Sequence, residues 1–338
     1  MRNPLTAAPI LAALLTGLTG PALAETSVVA TIKPLHSLVA GVMEGVGTPT
    51  LLIPGTTSPH TFTLKPSDAR KLEDARVVFW IGPDLETALE HPLETLAAKA
   101  TVETLMNAPG ITQRGFPEGH DHDHGHDADH KDAEHKDDDH KDAAHKDHDH
   151  DKDGHKEAEE HGHHHHGTHD PHVWLDPKNA EAMLAAIAAT LSDAMPEHGD
   201  AFAANAARMT AQLTKLGDEV TAILAPVSVK PFLTFHDALG HFNARYGLTK
   251  GEAIVVNPEI KPGAKRIAEL REEIEEEGFA CVFIEPQFDP SIAEVIVEGS
   301  DAKIATLDPL GSALAEGPAL YPDLIRGIAQ TLHDCMAD

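Results

Sequence analysis

Short apolar runs alternate along the chain with longer stretches in which apolar residues recur at helical spacing. Runs of four or five apolar residues predict buried strands. Their alternation with helices is typical of βαβ units and of an α/β fold with parallel sheets. The predicted strands are 28–32, 50–53, 77–81, 232–235, 253–256, 281–284 and 304–307, and the predicted helices are 66–75, 84–91, 177–195, 236–246, 262–278, 291–299 and 321–336.

One further predicted helix, 197–225, is longer than the others. From Phe202 to Ile223 its apolar residues fall at alternating steps of four and three, which forms one stripe along a helix. A helix of about 29 residues is roughly 43 Å long. We expect it to be a rigid connection between a first lobe, 25–196, and a second lobe, 226–338.

The first 24 residues have the pattern of an export signal. Arg2 provides a positive start, the stretch 5–18 is apolar, and Ala22 and Ala24 form an A-x-A cleavage pattern. The alternative is a membrane anchor, but this run is shorter than the roughly 20 apolar residues that span a bilayer. We therefore expect cleavage after Ala24 and an exported, soluble product.

The two cysteines, Cys281 and Cys335, lie in a predicted strand and in the last predicted helix. Export to an oxidising compartment and an even count favour a disulfide, and two free thiols are the alternative. The bridge would close a loop of about 54 residues and stabilise the fold by roughly 3–4 kcal/mol in the chain-entropy model. Because the chain has no C-x-x-C motif, we expect a structural role.

Charge and histidine are distributed unevenly. The chain of 338 residues has 26 Lys and Arg against 55 Asp and Glu, a net charge of −29, which argues against nucleic acid and anionic membranes as partners. The segment 118–170 contains 17 of the 25 histidines, 19 acidic residues and almost no large apolar side chain. Such a segment cannot bury enough surface to offset its ordering entropy, so it predicts a disordered loop.

This histidine-rich loop predicts weak binding of several divalent metal ions, since imidazole is a common metal ligand. The alternatives are a solvated acidic loop or a cloning tag, and a tag is improbable in the middle of a chain. The candidate auxiliary ligands are His120, His122, His124, His126, His161, His163, His164, His165 and His166.

Three histidines outside the loop occupy positions that suit a ligand site. His60 follows a predicted strand through a loop of Pro, Gly and Ser, and His236 ends another strand. His172 lies between two prolines ahead of a helix, and Asp289 follows a third strand. In open parallel sheets, ligands bind beyond the carboxyl ends of strands, so these side chains are the candidates for a metal site.

Seven short motifs are together highly specific. They are Ile-Lys-Pro-Leu (32–35), Ser-Pro-His-Thr-Phe-Thr-Leu-Lys-Pro-Ser-Asp (58–68), Trp-Ile-Gly-Pro (80–83), Asp-Pro-His-Val-Trp-Leu (170–175), Phe-His-Asp-Ala (235–238), Glu-Pro-Gln-Phe (285–288) and Leu-Asp-Pro-Leu-Gly (307–311). With these motifs the sequence resembles the zinc-specific periplasmic solute-binding proteins of ABC importers over essentially the whole mature chain. The resemblance implies two lobes with parallel sheets, one long rigid connecting helix, a metal in the cleft between the lobes and a late disulfide.

The resemblance also implies the ligands. His60, His172 and His236 fall on the family's three histidine ligands. Some members place an acidic residue directly before the first histidine, where this chain has Pro59, and others use the position of Asp289, which we expect to be the fourth ligand, with water as the alternative. Three imidazoles and a carboxylate suit Zn²⁺. Manganese-binding members have a carboxylate at the position of His236, and Mn²⁺ prefers oxygen ligands.

The function that the resemblance implies is capture of Zn²⁺ in the periplasm and its delivery to the membrane permease of an ABC importer. A monomer is expected, and an auxiliary zinc chaperone is a further candidate partner. The alternatives are a manganese-binding relative, a metal-buffering protein, an adhesin, or a secreted zinc hydrolase with Glu285 or Asp237 as base. The chain has no H-E-x-x-H and no G-x-S-x-G motif, which favours a carrier over an enzyme.

Overall fold

The computed structural model covers both predicted lobes and most of the predicted elements. The predicted export signal, 1–24, and the nine candidate loop histidines lie outside the described residues. Within the part of the chain that is described, no helix is long and apolar enough to cross a bilayer. The structure describes residues 27–115, 169–227, 231–249, 252–255, 258 and 260–337.

Two four-stranded parallel sheets form the two lobes, as predicted. The first has the order β2-β1-β3-β4 and the second the order β6-β5-β7-β8. The two central strands are β1 and β3 in the first sheet and β5 and β7 in the second. From one central strand the chain continues to one side of the sheet, and from the other it continues to the opposite side. This arrangement opens a crevice at the carboxyl ends of the two central strands. The strands are β1 Val28–Ala30, β2 Thr50–Leu51, β3 Val77–Trp80, β4 Thr101–Thr104, β5 Leu233–His236, β6 Glu252–Val255, β7 Cys281–Ile284 and β8 Lys303–Thr306.

The described residues form nine α-helices around these sheets. Proline at the first or second position starts three of them, α1, α2 and α4, and Asp176 caps α4 by accepting a hydrogen bond from the Lys178 N–H at 2.8 Å. Gly278, at φ 67°, ends α7 in the left-handed region. The helices are α1 Lys33–Val42, α2 Pro66–Glu73, α3 Glu90–Thr95, α4 Pro177–Ala194, α5 Gly199–Leu224, α6 Gly240–Tyr246, α7 Ala264–Glu277, α8 Ser291–Val297 and α9 Leu320–Met336.

The long helix α5 joins the lobes, and its apolar stripe is buried from Phe202 to Leu224. It packs against α4, α9 and α1. At the crossing with α1, a Cβ on Gly41 would lie only 2.1 Å from the sulfur of Met209. Glycine therefore permits the close approach of these two helices.

The final helix α9 returns to the first lobe. It packs against both α1 and α5, and its apolar residues belong to the same core as the first sheet. A disulfide between Cys281 and Cys335 confirms the predicted bridge and ties α9 to β7 of the second lobe. The C-terminal helix therefore belongs to the packing of both lobes, although the sequence pattern alone assigns it to the second.

Hydrogen bonds also join the lobes on the side of α1. The Nζ of Lys33 donates to the carbonyl oxygens of Gly311, Ser312 and Leu314 at 2.9, 3.1 and 2.6 Å. Lys33 is only 6% exposed, so these three carbonyls provide the polar environment that its buried ammonium group requires.

The hydrophobic pattern missed two elements and shifted a third. The edge strand β4 has the sequence Thr-Val-Glu-Thr and lacks the apolar run of a buried strand. Helix α1 is buried at nine of its ten positions, so it shows no polar face. The predicted helix 84–91 is instead a 3₁₀ turn at Thr87–Leu89 followed by α3.

Candidate metal centre

Three histidines meet in the cleft between the two sheets. His60 lies in the loop after β2, His172 precedes a 3₁₀ turn at Val173–Leu175, and His236 is the last residue of β5. The Nε2 atom of His172 lies 3.3 Å from Nε2 of His60 and 3.1 Å from Nε2 of His236. One nitrogen from each ring lies within 4.8 Å of the other two, so the structure brings the three predicted ligands together.

Buried carboxylates fix the orientation of two of the rings. The Nδ1–H of His172 donates to Oδ1 of Asp170 at 2.7 Å, and the Nδ1–H of His236 donates to Oε1 of Glu285 at 2.5 Å. These bonds place the proton on Nδ1 and leave the Nε2 lone pair facing the neighbouring histidines. Asp170 also accepts a hydrogen bond from the backbone N–H of His172 at 3.0 Å.

Burial and the neighbouring charges give the three rings different proton affinities. Burial, together with the two other imidazoles, lowers the pKa of His60 well below 6.5. Burial lowers the pKa of His172 in the same way. Burial also acts to lower the pKa of His236, but the carboxylates of Glu285, Asp237 and Asp170, with Glu285 first among them, together outweigh it and the pKa of His236 is raised. Burial raises the pKa of Asp170 to about 6. At neutral pH, His60 and His172 are therefore neutral, the form that binds metal.

The rest of the cleft is mostly apolar, and it includes one polar group without a partner. The Oε1 atom of Gln287 is buried and accepts no hydrogen bond from any described residue. The Nε2 of the same side chain donates to the carbonyl of Gly55 in the first lobe at 2.8 Å. Beside the three histidines, Glu285 and Gln287, the cleft is lined by Ser58, Pro59, Trp174, Phe288, Pro309 and Leu310.

The structure does not place Asp289 with the three histidines. Its side chain is exposed, and its Oδ1 accepts a hydrogen bond from the N–H of Ser291 at the start of α8, at 3.0 Å. This bond is the main cause that lowers the pKa of Asp289. After β7 the chain turns, with the Phe288 N–H donating to the Glu285 carbonyl at 3.1 Å, and this turn directs Asp289 to the surface.

The supporting carboxylates were missed or misassigned from the sequence. Asp170 was included in the predicted loop 118–170, yet it is buried, and its N–H donates to the carbonyl of Arg114 at 2.7 Å. The sequence predicts Glu285 as a motif residue and as a candidate base of a hydrolase, but not as a partner of His236. The available signal is that Glu285 directly follows a predicted strand, as His236 ends another, but only the structure shows that these two strands are neighbours.

The fold and the histidine cluster define the class of protein: a two-lobed solute-binding protein with a candidate metal site between its lobes. The chain belongs to the ZnuA family, described as the zinc-uptake complex component A, periplasmic, whose model matches residues 28–335. The resemblance seen in the sequence is thereby confirmed.

Relatives match nearly the whole chain. It is 46% identical over 330 residues to a high-affinity zinc uptake system protein ZnuA of Brucella suis biovar 1 (strain 1330), with 96% of each chain covered. It is 40% identical over 329 residues to the protein of that name from Paracoccus denitrificans (strain Pd 1222), with 97% of each covered.

Solved structures share the fold. A ZnuA crystal structure has a TM-score of 0.70 at 22% identity and covers 92% of this chain and 98% of that one. The periplasmic zinc-binding protein TroA from Treponema pallidum has a TM-score of 0.72 at 19% identity, with 93% and 100% covered. At these identities the likeness concerns the fold, and it confirms the predicted two-lobed α/β architecture.

Proposed function

We propose that this protein binds Zn²⁺ in the periplasm and delivers it to the permease of an ABC importer. The observation that carries the proposal is the convergence of the Nε2 atoms of His60, His172 and His236. Three imidazole nitrogens suit Zn²⁺, which completes a tetrahedral shell with one further ligand. The relatives named high-affinity zinc uptake proteins support the same cargo.

Water is the fourth ligand in this proposal, in place of Asp289. The unpartnered Oε1 of Gln287 lines the same cleft as the histidines and is an acceptor suited to a metal-bound water. The two candidate carboxylates have less support than water as the fourth ligand. Asp289 is exposed, and Oε1 of Glu285 already accepts a hydrogen bond from His236.

The residues of the site suit reversible binding of an ion. Asp170 and Glu285 hold the Nδ1 protons of His172 and His236, which raises the basicity of the facing nitrogens. His60 and His172 belong to the first lobe and His236 to the second, so a bound ion would link the lobes. The hydrolase alternative has less support, because its candidate base Glu285 is engaged by His236.

The histidine-rich loop is proposed as an auxiliary zinc-binding segment. Its many imidazoles and carboxylates would hold several ions weakly. The described residues that flank it, Gly115 and His169, pair as an isolated bridge. An auxiliary zinc chaperone could load this segment, which adds a second candidate partner to the permease.

The test is removal of one ligand from the second lobe. His236→Ala should lower zinc affinity at least about 100-fold, because it removes one of three protein ligands and leaves Glu285 buried without its partner. Competition with a chelator strong enough to strip the loop measures the cleft site alone. His91→Ala is the control, since the His91 side chain is 83% exposed.

Wild-type affinity in the His236→Ala variant would contradict the proposed site. Turnover of ester or peptide substrates that is abolished by His60→Ala would instead favour the hydrolase.

A further inference from the structure

A histidine of the second lobe reaches into the support of a first-lobe ligand. His241, on α6, is 1% exposed, and its Nε2 lies 3.1 Å from the backbone carbonyl oxygen of Asp170. Asp170 is the residue whose carboxylate holds the ring of His172. The contact therefore joins α6 to the residue that supports a ligand of the metal centre.

The direction of this hydrogen bond is set by the backbone carbonyl oxygen of Asp170, which can only accept. On α4, the Nδ2 of Asn179 donates to the carbonyls of Val173 and Thr112, both at 3.2 Å, and its Oδ1 accepts from the Thr112 N–H at 2.8 Å. The same Nδ2 lies 3.4 Å from Nδ1 of His241. A donor nitrogen thus faces Nδ1 of His241, which favours an unprotonated Nδ1. His241 therefore carries its proton on Nε2 and donates it to the carbonyl of Asp170.

The residue next to His241 contacts the side chain of the same aspartate. A Cβ added to Gly240 would lie 2.5 Å from Oδ2 of Asp170, closer than nonbonded atoms approach. Two adjacent residues of the second lobe thus lie against Asp170: His241 donates to its carbonyl, and Gly240 leaves the space that its carboxylate occupies.

The same short segment also carries a ligand. His236 ends β5, and only three residues separate it from Gly240 at the start of α6. We infer that Gly240 and His241 are positioning residues that hold Asp170, and through it the ring of His172, so that zinc affinity depends on contact between the lobes. This inference rests on the proposed zinc site and adds residues that bind no metal themselves.

Two kinds of variant test the inference. His241→Phe keeps the ring volume but removes the donor to Asp170, and His241→Gln restores an N–H donor. Gly240→Ala leaves His241 in place and adds the Cβ that crowds the carboxylate. Gly327→Ala is the matched control, because a Cβ on Gly327, also in a helix, meets nothing within 4 Å.

The readouts are zinc affinity by chelator competition, the visible spectrum of the Co²⁺-loaded protein, and thermal stability without metal. We expect His241→Phe and Gly240→Ala to lose about 10- to 100-fold in affinity and to alter the Co²⁺ absorption, which reports ligand geometry. His241→Gln should recover part of the loss, and Gly327→Ala should match the wild type.

Gly240→Ala keeps the test decisive if His241→Phe does not fold, because alanine is the better helix former. Unchanged affinity and unchanged Co²⁺ absorption in folded variants would overturn the inference, even with a lower melting temperature. Absence of tight zinc binding in the wild type would overturn the proposed function itself, which is a different result.

Discussion

The Nε2 atoms of His172 and His236 lie 3.1 Å apart although the residues are 64 positions apart in the chain and belong to opposite lobes. Their Nδ1 atoms each donate to a buried carboxylate, so two lone pairs face each other at this distance. Such an arrangement favours a cation between the rings, and a proton can compete with Zn²⁺ for the same electrons.

Zinc affinity should therefore fall as the pH is lowered, starting above pH 6.5. The pKa of His236 is raised by Glu285, so this ring takes up a proton at a higher pH than an ordinary imidazole does. Below that pKa, affinity should drop about tenfold per pH unit, because binding must release the proton. His60 and His172, whose pKa values are lowered, should compete only at lower pH. Chelator competition between pH 5 and 8 measures this, and a constant affinity would contradict histidine ligation.

Glu285→Gln should change both the affinity and its pH dependence. The amide keeps an acceptor oxygen for His236 but removes the charge that raises the pKa of this ring. We expect a loss of about 10- to 100-fold at neutral pH and a shift of the pH-dependent fall to lower pH. Glu276→Gln, at an exposed position of α7, is the control. A pH profile identical to that of the wild type would show that Glu285 does not tune His236.

Lys33→Met should weaken the contact between the lobes. The substitution leaves the carbonyls of Gly311, Ser312 and Leu314 without their donor, at a cost of about 2–4 kcal/mol in the free energy of unfolding. Chemical denaturation measures this difference. Lys99→Met, at an exposed position, should change stability by less than about 0.5 kcal/mol. Equal effects of the two substitutions would rule out a role for the Lys33 hydrogen bonds.

Replacing Cys281 and Cys335 together by serine should destabilise the protein by roughly 4 kcal/mol in the chain-entropy model, since the bridge spans 54 residues. Neither cysteine is among the residues that line the cleft, so the folded variant should retain its zinc affinity. Guanidinium titration and chelator competition measure the two quantities separately. Undiminished stability would show that the packing of α9 suffices without the bridge.

Deletion of residues 119–168 should leave one tight site and lower the number of ions bound. The three converging histidines lie outside this segment, while 16 of the 25 histidines of the chain lie within it. Titration calorimetry of the wild type and the deletion variant gives the stoichiometry and the affinity. Loss of the tight site would mean that the segment contributes a ligand to the cleft.

The hydrophobic pattern determined most of the architecture, because strand and helix periodicity depend on local sequence. Both sheets and the long helix α5 follow the predictions from this pattern. The disulfide follows the prediction from export and the even number of cysteines. The motifs around His60, His172 and His236 identified the residues that converge. Elements that lack a two-sided pattern, such as the buried helix α1 and the edge strand β4, could not be found in this way.

Tertiary structure alone decided the surroundings of the three histidines. Asp289 is exposed because the chain turns after β7, whereas Asp170 is buried because the segment that follows the loop packs against α6. Sequence spacing specifies which residue types are available and which strand end they follow. It does not specify how turns direct each side chain or how two lobes pack, and those contacts select Asp170, Glu285 and His241 as the groups around the site.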